Sequence, residues 1–277
     1  MGLDSLTTLA VARTGPAVRV RIDHGEINMM DAAMMGDLWR LVNWLRSPAG
    51  QDIRVVVLES ANPDFFIAHV DLALLAASVD DPEASVGSFQ DLVGAFRALD
   101  QVTVAVVAGR VAGGGMELLV NLDLRFAVTG RAVFNQIETG IGVIPAGSGP
   151  QHLLRLLGRG RALEVILAHD DLDAELAERY GLVNRALAPD AVAPFLDRLV
   201  TRIATVPLAD IADIKTTLAA PDVAAGLAAE RAAFASVLGR GAALPKMRRF
   251  LAAGGQTPAG ERRLADLVAD LDRTEPG

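Results

Sequence analysis

Residues 105 to 127 read AVVAGRVAGGGMELLVNLDLRFA, and this stretch decides the fold. A valine-rich run, Val102 to Val107, has the composition of a buried strand and stops at Gly109. Gly113, Gly114 and Gly115 follow, then Met116, Glu117 and an apolar segment with helical spacing. Three glycines at a strand-to-helix junction let a ligand approach the backbone without meeting a Cβ. They also leave peptide N–H groups free at the positive end of a helix, where developing negative charge is stabilised. Glu117 adds a carboxylate in the first turn, which makes an oxyanion site with a built-in acid or base. Close packing of a helix on a strand calls for the same glycines, so the motif alone leaves both readings open.

Nucleotide readings of these glycines fail. The phosphate-binding loop needs a lysine after its last glycine, and the only lysines are Lys215 and Lys246. The dinucleotide pattern G-x-G-x-x-G needs a spacing that Gly113 to Glu117 does not give.

Working outward, strand and helix signals alternate. Val18 to Ile22 alternates apolar and basic residues, as a half-buried strand does. Asp31 can cap a helix running to Arg46, with Met34, Met35, Leu38, Leu41, Val42 and Leu45 on one stripe. Arg54 to Leu58 reads as a buried strand, Asn62-Pro63-Asp64 as a turn, Phe89 to Leu99 as a helix, and Leu124 to Val128 as a strand. Repeated units of this kind predict α/β layering with mostly parallel pairing. From about Pro194 strand signals vanish. Helical periods run through 195–206, 208–219, 223–238 and 260–272, with loops at Gly239 to Leu244 and Ala252 to Pro258. Residues 1–193 are therefore expected to form the α/β core and residues 194–277 a helical region.

Composition excludes several classes. The 277 residues are 51% hydrophobic, enough for a large core. No apolar run reaches the roughly 18 residues of a membrane span. The opening MGLDSLTTLAVARTG has no basic segment ahead of an apolar core, so no signal peptide and a cytoplasmic location are expected. The absence of cysteine excludes disulfides and thiolate chemistry. A net charge of −8 argues against non-specific nucleic-acid binding. His24, His69, His152 and His169 show no metal-binding spacing, so no metal is expected.

Two further stretches carry chemistry. Residues 134 to 149, FNQIETGIGVIPAGSG, place Glu138 among apolar and glycine residues. An unpaired carboxylate is costly to bury, so Glu138 either meets an arginine or faces one pocket with Glu117. In the second case the two can divide labour, one activating water and the other delivering a proton. Residues 63 to 72, PDFFIAHVDL, end an apolar run and offer Asp71 as a helix cap, as an ordinary strand-to-helix loop also does.

Taken together, these stretches resemble the crotonase superfamily, the enoyl-CoA hydratase/isomerase family, over roughly residues 15 to 190. Phe66 to Leu72 stands in place of the family's F-x-A-G-A-D-L, and Ala108 to Leu118 matches N-G-x-A-x-G-G-G-x-E-L. Glu138, Gly142, Pro145 and Gly149 follow the family's P-E-x-x-x-G-x-x-P-G-x-G-G segment, and Ala177 to Val183 fits a later A-x-x-x-G-L-V. The resemblance implies a spiral of ββα units with a helical C-terminal region that mediates trimers, or dimers of trimers. It implies that the N–H groups of Val70 and Gly114 hold the thioester oxygen of an acyl-CoA. Glu117 and Glu138 become the acid/base pair, and Ala68, His69, Gly113, Met116, Gly142 and Pro145 line the substrate site. Coenzyme A belongs to the substrate, so no separate cofactor is implied.

The activity this favours is hydration of a trans-2-enoyl-CoA, because both carboxylates are present. Isomerisation, thioester hydrolysis and non-catalytic acyl-CoA binding are the alternatives. Departures from the pattern are His69 for glycine, Ala108 for asparagine, and Pro150 and His152 for threonine and arginine. The C-terminal K-R-x-P segment is replaced by Pro245-Lys246-Met247-Arg248-Arg249. His69 is expected to narrow the pocket, bond substrate or alter the loop backbone.

Overall fold

The computed structural model describes residues 3–78, 80–218, 227, 231, 232, 234, 235, 238, 239, 241 and 243–273. Two strands, β1 (Leu9–Thr14) and β2 (Ala17–Ile22), form an antiparallel hairpin, and α1 (Ala32–Arg46) follows. Asp31 caps α1 by accepting from the Met34 N–H at 2.9 Å. Met34, Leu38, Leu41, Val42 and Leu45 are buried along the expected stripe.

Three units then repeat one pattern, with two strands followed by helix. The first holds β3 (Val55–Ser60), β4 (Phe65–Ile67), α2 (Leu72–Ala77) and α3 (Pro82–Arg97). The second holds β5 (Val102–Val107), β6 (Arg110–Ala112) and α4 (Gly114–Asn121). The third holds β7 (Leu124–Val128), β8 (Val133–Asn135) and α5 (Gly149–Leu157). The first strand of each unit joins one sheet and the second joins another. The chain continues through α6 (Arg159–Ala168), β9 (Leu172–Asp173), α7 (Ala174–Tyr180) and β10 (Arg185–Leu187). The larger sheet has the order β1-β2-β3-β5-β7-β10 and is parallel from β2 onward; the smaller has β4-β6-β8-β9. This is the crotonase-type arrangement that the resemblance implied.

The valine runs are apolar throughout because both faces of the larger sheet are covered. Val56, Leu58, Ala105 and Val107 face the main core, while Val55, Val57, Val104 and Val106 face α8 (Pro189–Ala204) through Leu196. Helix α8 runs across residue 194, so the shift to helical composition there falls inside an element that packs on the sheet. After α9 (Leu208–Thr217) come α10 (Ala243–Ala252), α11 (Pro258–Glu261) and α12 (Leu264–Arg273). Met247, Phe250, Leu264, Leu267 and Val268 of these helices pack against Leu72, Val86, Ile137, Ile141 and Val143 of the core. Pro245 to Arg249 thus lie on a helix that the sequence reading did not anticipate. The expected helix over 223–238 lies largely outside the described residues.

Candidate active site

The glycine-rich junction forms as the sequence requires. Gly113 has φ +51°, a left-handed value that glycine adopts without penalty, and its N–H donates to the Asn135 carbonyl at 3.1 Å. Helix α4 starts at Gly114, whose N–H has no carbonyl one turn back to accept it. A Cβ on Gly114 would run into Cγ2 of Val70 and lie 3.1 Å from Cζ of Phe89. One on Gly115 would lie 2.8 Å from Cγ2 of Ile67. These glycines therefore let α4 press against the loop at 68–71, so both structural readings of the motif hold together.

That loop is itself fixed. The Met30 N–H donates to the His69 carbonyl at 2.9 Å and the Asp71 N–H to the Met30 carbonyl at 3.0 Å. In extended backbone the N–H groups of neighbouring residues point opposite ways. The Val70 N–H accordingly points away from Met30, and it donates to no acceptor among the described residues. Among the described residues, the N–H groups of Val70 and Gly114 thus meet no acceptor, and they stand on two segments in close contact.

A cavity of about 640 Å³ opens over this junction. Glu117 and Glu138 both line it, with His69, Val70, Gly113 and Gly114. Its walls are mostly apolar, including Trp39, Leu75, Val86, Phe89, Ile141, Val143 and Phe234, with Ser78, Asp80, Asp81, Ser85 and Ser88 also on the lining. Size and lining suit an acyl chain.

The two carboxylates are held differently. Glu117 accepts from the Gly149 N–H at 2.8 Å, and Gly149 is the first residue of α5. A Cβ at Gly147 or Gly149 would lie 2.8 or 2.7 Å from a Glu117 oxygen, so only glycine fits beside it. Glu138 begins a short 3-10 turn and accepts from Gln136 Nε2 at 2.9 Å. Burial raises its pKa above the ordinary 4.5, against the pull of Gln136 and His69. Glu138 meets no arginine among the described residues; the shared-pocket reading of its sequence is the one realised.

Of the expected substrate-lining residues, His69 and Gly113 reach the cavity and four do not. Ala68 packs with Ile27 and Phe65. Met116 points into the main core, because on a helix it is turned about 100° from Glu117. Gly142 closes the 3-10 turn at φ +89° beneath Ala243 and Lys246. Pro145 is buried behind Ile144, Ala146 and Gly147, which take its place on the cavity surface. His69 does not distort its loop, since it is absent from the positive-φ residues. Both its ring nitrogens are engaged by protein groups, Val70 O and Glu261 Oε1, which leaves none for substrate. His152 is buried at the start of α5, and burial together with Arg97, Arg155 and Arg125 lowers its pKa to about 3.

Sequence reasoning missed Gln136, Phe89, Gly147 and Glu261. The first three had a local signal beside named motifs. Glu261 had none. No helix of the described residues is long and apolar enough to cross a membrane.

The fold, the paired N–H donors and the two-carboxylate cavity define a class that comparison with known proteins identifies. A family model described as enoyl-CoA hydratase/isomerase matches residues 17–240, and the chain belongs to that family, within the crotonase superfamily. YngF of Bacillus subtilis, described as an enoyl-CoA hydratase/isomerase, is 33% identical over 212 residues, 75% of this chain and 80% of that protein. A crotonyl-CoA hydratase of Syntrophomonas wolfei is 30% identical over 152 residues, 54% of this chain and 58% of the relative. A crystal structure described as an enoyl-CoA hydratase from Streptomyces avermitilis superposes with a TM-score of 0.89 at 37% identity, over 97% of this chain and 100% of that one.

Proposed function

We propose that the protein adds water to a trans-2-enoyl-CoA, giving a 3-hydroxyacyl-CoA. The observation that carries this reading is the pair of carboxylates, Glu117 and Glu138, lining one apolar cavity beside two unpaired N–H groups. The thioester oxygen accepts from Val70 and Gly114. Glu117, which accepts from the Gly149 N–H, takes a proton from water as the water oxygen bonds to C3. The π electrons move onto the thioester oxygen, and the two donors stabilise the enolate. Glu138, whose burial favours the protonated form, delivers its proton to C2 as the enolate collapses. Proton exchange with solvent resets both groups. Coenzyme A is carried by the substrate and no separate cofactor takes part.

The test follows the absorbance of the conjugated enoyl thioester with crotonyl-CoA and with a longer enoyl-CoA. Loss of absorbance with formation of the 3-hydroxyacyl product is the expected result. Turnover of a 3-enoyl-CoA alone replaces the reading with double-bond isomerisation, and release of free coenzyme A replaces it with thioester hydrolysis. The acting species in this proposal is a homotrimer or a dimer of trimers. Among the exposed apolar side chains, Ile214 and Leu218 of α9 and its cap are 55% and 76% exposed in the single chain, which suits burial against another copy.

A further inference from the structure

The loop that carries the Val70 N–H is tied to the C-terminal helices by a buried pair of opposite charges. His69 is 3% exposed and Glu261 is fully buried. Nδ1 of His69 lies 2.8 Å from the Val70 carbonyl oxygen, and Nε2 lies 3.1 Å from Glu261 Oε1. A carbonyl only accepts. Glu261 Oε1 also accepts, because the Gln256 N–H donates to the same oxygen at 2.7 Å. With Glu261 ionised, as its lowered pKa favours, both facing oxygens only accept, so each ring nitrogen needs its own hydrogen, and only the imidazolium has two. The charge balance agrees with the geometry. Burial pulls the pKa of His69 down, yet Glu261, the Val70 carbonyl and Glu138 hold it above 6.5. Burial pushes Glu261 up, yet His69, Gln256 and Arg110 hold it below 4.5. Gln256 makes a second tie, with Nε2 3.4 Å from Asp71 Oδ1. Phe250 closes the site, its ring 6.0 Å from the imidazole in an edge contact.

We infer that His69 and Glu261 form a charged latch that sets the Val70 N–H against the Gly114 N–H, which makes Glu261 a positioning residue for the thioester oxygen. The inference rests on the enoyl-CoA reading for its kinetic consequences, whereas the latch itself stands on the contacts of His69 and Glu261. A neutral imidazole keeps one of the two bonds and loses the other, so the order of the loop follows the charge on the ring. The charged groups that face His69 are Glu261 and Glu138; Asp71 and Arg110 stand behind Glu261 and Gln256.

Two measurements on the full chain test this. In the first, the ring nitrogens of 15N-histidine-labelled protein are followed by NMR against pH; only four histidines contribute. His69 is expected to be an imidazolium at pH 7 in the wild type and neutral in Glu261→Gln. A neutral His69 in the wild type overturns the latch. In the second, Glu261→Gln is expected to lower kcat on an enoyl-CoA roughly a hundredfold, the scale of one misplaced oxyanion donor. KM should change less than about threefold, because ground-state contacts persist. The alkaline limb of kcat should move to lower pH. If that limb belonged to Glu138, loss of the neighbouring cation would move it to higher pH. A change confined to KM, or an upward move, overturns the positioning role. Glu261→Asp keeps the charge and should retain the limb with a smaller loss, which separates positioning from misfolding. If the wild type turns over no enoyl-CoA, the functional reading fails while the NMR measurement still decides the latch.

Discussion

At the scale of single residues, the two glutamates of the cavity differ in their surroundings. Glu117 meets a helix N-terminus, and Glu138 meets an amide side chain inside an apolar wall. Replacing either by glutamine preserves shape and removes the proton transfer proposed for it. Glu117→Gln and Glu138→Gln should each lower kcat roughly 10²- to 10⁴-fold, with acyl-CoA affinity much less affected. Steady-state kinetics beside calorimetric binding of a saturated acyl-CoA checks this; equal losses in affinity and turnover would contradict it. Glu117 and Glu138 each stand out in the sequence as a lone acid in an apolar, glycine-rich stretch, and the structure places both on one cavity. Met116 and Gly142 were misjudged because neighbours in a motif need not share a face. Adjacent helical residues diverge by about 100°, and a left-handed turn redirects the chain. Glu261 lies 192 residues from His69, and no local pattern announces such a partner.

At the scale of elements, legibility followed local signal. The strands Val102–Val107 and Leu124–Val128 and the Asp31-capped helix were read with their observed ends, because each combines an apolar pattern with a clear stop or cap. Helix α3 begins at Pro82, seven residues ahead of the expected Phe89, although Asp81-Pro82 is a start signal that outweighed the polar composition between them. Strands β4, β6 and β8 have three residues each and exist through pairing with one another, which no periodicity reveals. The glycine junction gives a prediction at this scale. Gly114→Ala places a methyl against Val70 and Phe89, so α4 and the 68–71 loop must separate. The expected cost is about 1–3 kcal/mol of stability, as for overpacked cores. The fall in kcat should be on the order of a hundredfold as one donor drifts. Thermal unfolding and kinetics measured together check it, and full activity would show that the two segments do not need their close approach.

At the scale of the whole molecule, charge and assembly give two further expectations. His152 takes up a proton near pH 6.5 in the unfolded chain but only near about 3 when folded. The unfolded state therefore holds more protons through that window, and stability present at neutral pH is lost as pH falls, with a slope of up to about 1.4 kcal/mol per pH unit. The Tm of His152→Gln should fall less than that of the wild type between pH 7 and pH 5, and parallel curves would refute this. Light scattering at micromolar concentration should give three or six times the 29.1 kDa chain mass, whereas a monomer would remove the proposed assembly. The contact between residues 69 and 261 also has a consequence in time. At typical synthesis speeds, the 192 residues between them take roughly ten to forty seconds to translate. Throughout that interval the imidazole is already made and its carboxylate is not. The nascent chain can pair its strands in order, but the loop that carries the Val70 N–H waits for Glu261, which is made only after every described strand of both sheets.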